Sequence, residues 1–212
     1  MKGEWDFAWV RTILVELSLP DLRVLSRTPM DDGTGVQWGA AVHRDSDELL
    51  VYGVVEEGDH KHLLLASAPT SQPGGQWRYR TADGWSARPG AATRLLTGVS
   101  NEISVLPMPG RDGGWLPVTS DTRQEFGTWP IVVYRADTPA GPWSGPQVIF
   151  DPPENEGNRY ACNPTMVRLS SDSYLLAYNV NSTYAEVTAD RSLYRPRWRQ
   201  VQISAEPPPS DF

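Results

Sequence analysis

The sequence contains few cysteine and histidine residues. It contains one cysteine, Cys162, and three histidines in 212 residues. A single cysteine cannot form an internal disulfide and offers no thiolate pair for a metal site, so cysteine usage does not indicate a compartment. We interpret Cys162 as a small, buried apolar residue.

Long apolar runs and an excess of basic residues are also lacking. No window approaches the roughly eighteen apolar residues of a membrane-spanning helix, and the opening segment MKGEWDFAWVRTILVELSLPDL shows no signal peptide. The formal net charge of −7 argues against nucleic-acid binding, because phosphate recognition needs clustered Lys and Arg. Gly-rich phosphate loops and the G-x-S-x-G elbow are absent as well, and no cofactor is indicated.

What is abundant favours β structure. Nine Trp, eight Tyr, eighteen Gly and nineteen Pro are typical of many short strands joined by tight turns. A pattern of strand, turn and apolar strand recurs at intervals of about sixty residues. The three repeats begin at VQWGAAVHR, SNEISVLPM and CNPTMVRLS, and further strand-like segments follow each beginning.

We predict an all-β fold, a β-propeller of four-stranded antiparallel blades. The predicted ranges are a partial blade at 1–30 and blades at 36–90, 100–150 and 160–203, in a single domain over 1–203 with a Pro-rich tail at 204–212. Small residues in WGAAV and EISV suit strands that converge on a channel, whereas a β-sandwich, the alternative, would place larger side chains there. Because rings close with about four to eight blades, we expect a truncated chain or self-association through exposed blade faces.

Several short segments, in a fixed order, carry a family resemblance. The segments are QWGAAV, VYG, SNEISV, VTSD, DTPAGPW, YNVNS and YRPRW. They resemble a family of five-bladed propellers, formerly of unknown function, that includes endo-D-arabinanases. More distantly, the chain is similar to the arabinanase and fructosidase propeller glycosidases.

The resemblance implies five blades, of which about three and a partial one are present here. It also implies an extracellular location for full-length relatives, and a glycoside hydrolase-like protein that acts on or binds a polysaccharide such as an arabinan. Two departures put catalysis in doubt. The aspartate that the family usually carries near the start of the first blade has no counterpart, and Asn163 stands before Pro164 where relatives often have a histidine.

Candidate site residues follow from the propeller geometry, since first strands begin and second strands end at one mouth. Glycoside hydrolysis generally uses two carboxyl groups. Glu102 is the candidate acid, because partial burial at the head of an apolar strand would raise its pKa. Asp121 is the candidate second carboxylate, although Ser-Asp-Thr is also a common turn. The predicted substrate-binding residues are Gln37, Trp38, Asn101, Arg123, Tyr160, Asn163, Asn179 and Asn181.

Alternatives stay open at several of these positions. Trp38 could stack on a sugar ring or pack in the core. Asn179 and Asn181 leave the same strand face, which suits ligand binding or loop capping. His60 and His62 also alternate, but no third ligand is evident, so we predict no metal site. The alternatives to a hydrolase are a non-catalytic carbohydrate-binding or interaction propeller and an inactive fragment of a longer hydrolase.

Overall fold

The protein is described by a computed structural model that covers residues 9–30, 32–108 and 114–203. Two compact units divide the chain between Thr97 and Gly98. Within the described ranges, the regular structure consists of fifteen strands, one short helix and one turn of 3₁₀-helix over Pro89–Ala91. None of the helical segments in these ranges is both long and apolar enough to cross a membrane.

The first unit contains a β-hairpin followed by one antiparallel sheet. The hairpin strands are β1 (Ile13–Leu17) and β2 (Val24–Pro29). The sheet follows chain order, and its last short strand pairs with β5. Its strands are β3 (Gln37–Asp45), β4 (Glu48–Glu57), β5 (His60–Pro69), β6 (Arg78–Thr81), β7 (Gly84–Ser86) and β8 (Leu96–Thr97). The continuous apolar runs in β4 and β5 are buried, as expected for central strands.

The second unit contains two antiparallel sheets, each built from strands in chain order. The first has β9 (Ser104–Pro107), β10 (Trp115–Ser120), β11 (Ile131–Arg135) and β12 (Ser144–Phe150). The second has β13 (Tyr160–Arg168), β14 (Ser173–Asn181) and β15 (Arg197–Gln202), with helix α1 (Tyr184–Ala189) between its last two strands.

These two sheets pack face to face. Leu116 and Val118 of β10 share one apolar cluster with Met166 and Leu176 of the neighbouring sheet. The first strands of the two sheets are adjacent, since Ser104 Oγ lies 3.2 Å from Thr165 Oγ1. Packing of successive sheets with their first strands side by side is the arrangement of neighbouring propeller blades.

The predicted fold class, all-β with consecutive antiparallel blades, is confirmed. The predicted second blade matches β9 to β12, with four strands in chain order. In the first unit, the strand-like segment QWRYRTADGW folds into the hairpin β6–β7 around Ala82 and Asp83. A two-residue loop with glycine beside it is a strong hairpin signal, and it outweighs the strand pattern of the segment.

The domain boundaries remain predictions. A single domain over 1–203 and the arrangement of all blades about one axis are not tested by the sheets themselves. The Pro-rich tail at 204–212, and the first eight residues of the partial blade at 1–30, lie outside the described residues.

Candidate functional site

Ends of strands from both sheets meet at one end of the second unit. Asn181, the last residue of β14, pairs with Tyr160, the first residue of β13. The charge of Glu102, just before β9, reaches both Tyr160 and Cys162. We call the group of Glu102, Tyr160, Cys162, Asn163, Asn179, Asn181 and Tyr194 the mouth.

Tyr160 and Asn181 form the fixed part of the mouth. Asn181 Nδ2 donates to the Tyr160 hydroxyl at 3.0 Å, and Asn181 Oδ1 accepts from the Ser182 backbone N–H at 2.9 Å. Burial raises the pKa of the Tyr160 phenol, and Cys162 and Glu102 raise it further, against the lowering effect of the Asn181 hydrogen bond. The phenol is therefore neutral at pH 7 and can donate a hydrogen bond to a ligand.

The burial of Glu102 differs from what the sequence predicts. Strand β9 begins at Ser104, so Glu102 precedes the strand and is exposed, while Ile103 and Val105 are buried. The expected partial burial of Glu102 is therefore wrong, because the side chains that enter the core are its apolar neighbours. Its predicted role as acid is not tested by this placement, and exposure leaves the carboxylate accessible to a ligand.

Cys162 is half-buried beside Glu102. Burial raises the pKa of the Cys162 thiol to about 12, and the charge of Glu102 contributes to the increase. The thiolate is the nucleophilic and metal-binding form of cysteine. The raised pKa favours the neutral thiol of Cys162 at neutral pH.

Asn163 and Asn179 occupy neighbouring positions on the two strands of the mouth. Asn163 has a left-handed backbone conformation with φ of 54° at the β-bulge between Cys162 and Thr165. Its Nδ2 donates to the Tyr194 hydroxyl at 3.4 Å. Asn179 lies opposite Cys162 in the register, and its side chain is half-buried. Bulges beside a site redirect side chains, which is the effect seen at Asn163.

Asp121 and Arg123 bind each other. Arg123 Nε and Nη2 donate to the two carboxylate oxygens of Asp121, each at 2.7 Å, and Asp121 is 3% exposed. Burial alone would raise the pKa of Asp121, but the hydrogen bonds from Arg123 lower it below its ordinary value. Because both oxygens are occupied, the geometry favours the turn interpretation of Asp121 over that of a second catalytic carboxylate.

Gln37 and Trp38 belong to the first unit. Trp38 is 5% exposed, and its ring centroid lies 6.0 Å from that of Trp77 and 5.6 Å from that of Tyr79. Its indole N–H donates to Asp32 Oδ2 at 2.8 Å. Trp38 is thus a core residue, and its proposed stacking on a sugar is wrong for this conformation because neighbouring rings cover it. Gln37 is half-buried and pairs with Val54 in the sheet.

Asn101 lies just before Glu102 and is half-buried. Its carboxamide oxygen is buried and has no hydrogen-bond partner among the residues that the structure describes. A buried acceptor without a partner is unfavourable, and it can be satisfied by a donor that a ligand or water supplies. Asn101 therefore remains a candidate binding residue.

Two aromatic residues at this end were not predicted. Phe126 and Trp129, in the loop from β10 to β11, contact Tyr160 with ring centroids 4.9 Å and 5.9 Å away, and their own centroids are 5.0 Å apart. We call Phe126, Trp129 and Tyr160 the aromatic platform. The signal in the sequence is QEFGTWP, two aromatic residues in a Gly- and Pro-containing loop.

The His62 side chain lies close to two polar side chains of the first unit. His62 Nδ1 lies 3.0 Å from Thr97 Oγ1, and His62 Nε2 lies 3.7 Å from Glu57 Oε2. In the part of the chain that the structure describes, no three His, Cys, Asp or Glu side chains are grouped to hold a metal ion.

The sheets define an all-β protein in which polar and aromatic side chains are grouped at one end of the second unit. The chain belongs to the family described as "Domain of unknown function (DUF5005)", whose model matches residues 1–203. The sequence resemblance to a propeller family of formerly unknown function is thus supported at the level of a domain of unknown function. Membership among the endo-D-arabinanases stays a prediction.

Two solved structures are similar at low sequence identity. The catalytic domain of the Coprinopsis cinerea GH62 α-L-arabinofuranosidase has a TM-score of 0.49 and 12% identity, over 81% of this chain and 56% of that one. The Cellvibrio cellulosa α-L-arabinanase has a TM-score of 0.33 and 8% identity, over 76% and 72% of the two chains. This chain thus spans little more than half of the arabinofuranosidase domain. No curated protein matches the sequence.

Proposed function

We propose that the protein is a glycoside hydrolase-like propeller that acts on or binds a polysaccharide, such as an arabinan, at the mouth. The observation that carries the proposal is the contact of a neutral phenol, Tyr160, with the exposed ring of Phe126, together with the action of the exposed Glu102 on the same phenol. Sugars present hydroxyl groups and apolar C–H faces together, so a site for them combines polar groups with aromatic side chains. The choice of an arabinan rests on the family resemblance of the sequence.

The residues of the mouth divide into distinct roles in this proposal. Glu102 would protonate the glycosidic oxygen or activate water, as general acid or base. Asn181 uses both atoms of its amide on Tyr160 and Ser182, so it positions the phenol. Asn163 and Asn179 are then the amides that would bind sugar hydroxyls.

A second candidate function is a non-catalytic carbohydrate-binding module. The specific observation in its favour is the Asp121–Arg123 pair, because hydrolysis generally needs two carboxyl groups and Arg123 occupies both oxygens of Asp121. A protein of this kind would keep the binding residues of the mouth and show no turnover.

The substitution Glu102→Gln separates the two functions. For a hydrolase, we expect release of reducing ends from arabinan to fall by about 100-fold or more, while arabinan binding stays within about threefold. Glu56→Gln, which removes the same charge at an exposed position of the first unit, should leave both unchanged. Binding by the wild type without any release of reducing ends would indicate the binding module. If the wild type neither binds nor hydrolyses arabinan or any related polysaccharide, the proposal is overturned.

A further inference from the structure

The aromatic platform exposes a large apolar side chain, although that side chain packs against two other rings. Phe126 is 66% exposed, although it contacts Trp129 and Tyr160. Its ring is steeply inclined to the other two, at 83° to Trp129 and 55° to Tyr160. Inclined packing of this kind holds a cluster together through ring edges. Exposed apolar clusters rimmed by polar groups mark binding sites.

Hydrogen bonds hold the loop between β10 and β11, which contains Phe126 and Trp129. Asn155 Nδ2 donates to the Trp129 carbonyl at 3.1 Å, and Asn155 Oδ1 accepts from the Ala161 N–H at 2.7 Å. Asn155 thus ties the loop to the start of β13. The Trp129 indole N–H also donates to the Gln124 carbonyl at 3.2 Å. A loop held in this way loses little conformational entropy when a ligand binds.

The platform is continuous with the polar part of the mouth. Tyr160 belongs to both, since its ring contacts Phe126 and Trp129 while its hydroxyl accepts from Asn181. The charge of Glu102 also acts on the same hydroxyl. One ligand at this place would therefore meet aromatic carbon on one side and hydrogen-bonding groups on the other.

This combination points to a sugar ring and away from a nucleobase. A stacked nucleobase would bring phosphates, which need basic residues, whereas the formal net charge of the chain is −7 and the negative charge of Glu102 acts on Tyr160. A neutral sugar has no such requirement. Its C–H face suits the ring of Phe126, and its hydroxyls suit Tyr160 and the neighbouring amides.

We infer that Phe126, Trp129 and Tyr160 form a stacking subsite that binds one sugar ring of a neutral polysaccharide. This inference rests on the proposed function, and it names the part of the site that supplies affinity. Phe126 provides the exposed ring, Trp129 supports it, and Tyr160 joins the stacked sugar to the hydrogen-bonding groups.

The test measures polysaccharide affinity of the full chain by electrophoresis in gels that contain arabinan, and by calorimetry. We expect Phe126→Ala and Phe126→Leu to weaken binding by about tenfold, because both remove the aromatic ring, and Phe126→Tyr to keep it. Phe126→Leu retains apolar volume and so guards against unfolding of the loop. Trp198→Ala is the matched control, since Trp198 is 53% exposed on β15 of the same unit.

The outcomes separate the inference from the proposed function. Wild-type binding that is weakened in both ring-deleting variants and unchanged in Trp198→Ala supports the subsite. Wild-type binding that persists in Phe126→Ala and Phe126→Leu overturns the subsite and leaves the proposed function standing. Absence of binding by the wild type to arabinan and to other neutral polysaccharides overturns both.

Discussion

The carboxylates of the second unit differ in what surrounds them. Asp121 is buried and has both oxygens on Arg123, whereas Glu102 is exposed at the mouth. A buried charge is tolerated only when it is paired and hydrogen-bonded, so Asp121 stabilises the turn after β10. Its backbone N–H also donates to the Pro130 carbonyl at 2.9 Å, across the loop that carries the platform.

Replacement of Asp121 by Asn should make stability less dependent on acid pH. The folded-state pKa of Asp121 is below its ordinary value, so the carboxylate contributes stability above about pH 4, which is lost as pH falls through the folded pKa. We expect Asp121→Asn to lower the free energy of unfolding by about 1–3 kcal/mol at pH 7. The difference from wild type should shrink below pH 4, as measured by urea denaturation across this range.

Asp151→Asn is the control for this substitution, because Asp151 is an exposed residue of the same unit. It should change stability by less than about 0.5 kcal/mol at either pH. An Asp121→Asn deficit of the same size at pH 7 and at pH 3 would contradict an ionic contribution from Asp121.

For the strands, the feature that the sequence predicts best is the alternation of side chains between the two faces. Asn179 and Asn181 were expected on one face of a strand, and β14 places them there while Tyr178 and Val180 are buried on the other. The pattern is local, so it can be read without knowledge of the partner strand.

Features that depend on loops or on distant residues could not be read in this way. The contact between Phe126 and Tyr160 joins residues that are far apart in the sequence, and no periodic pattern connects them. The burial of Trp38 depends on Trp77 and Tyr79 from other parts of the first unit. The exposure of Glu102 follows from where β9 begins, and boundaries of short strands are poorly specified by local sequence.

The close packing around Gly98 lets us predict how a substitution there changes stability. Gly98 has φ of 81°, and a Cβ built there would clash with the Arg123 side chain at Cγ. We expect Gly98→Ala to combine backbone strain with displacement of Arg123 from Asp121, and to lower the free energy of unfolding by about 2–4 kcal/mol. Thermal unfolding followed by circular dichroism would measure the loss.

Gly157→Ala is the matched control for Gly98→Ala. Gly157 has φ of 62° in the same unit, and a Cβ there would meet nothing within 4 Å. It should show the backbone strain alone, of about 1 kcal/mol. Equal destabilisation by the two substitutions would mean that the position of Arg123 is unimportant.

For the whole molecule, the sequence indicated consecutive antiparallel blades because each is built from strands that follow one another in the chain. The sequence indicated less about whether copies of the chain associate with one another. From the sequence we expect either a truncated chain or self-association through exposed blade faces, and the β1–β2 hairpin offers apolar surface for self-association. Val24 and Leu25 of β2 are 46% and 61% exposed, and Leu17 of β1 is 44% exposed.

We expect the purified protein to associate as its concentration rises, and Leu25→Lys to reduce this association, because a charge on the hairpin opposes apolar contact. Sedimentation velocity over a concentration series would measure the effect. Val148→Lys is the control, since Val148 is 56% exposed on β12 of the second unit. Equal association of wild type and Leu25→Lys would exclude the hairpin as the contact surface.

The alternation of β14 allows ligand recognition to change independently of folding. Tyr178 and Val180 carry the packing of the strand, while Asn179 and Asn181 face the mouth. A substitution at Asn179 alters the hydrogen-bonding groups at the mouth, and one at Asn181 alters the position of the Tyr160 phenol, while the apolar cluster stays intact. Related chains can therefore change the polar groups at the mouth while keeping the same strand, and under the proposed function redesign of specificity would begin at Asn179.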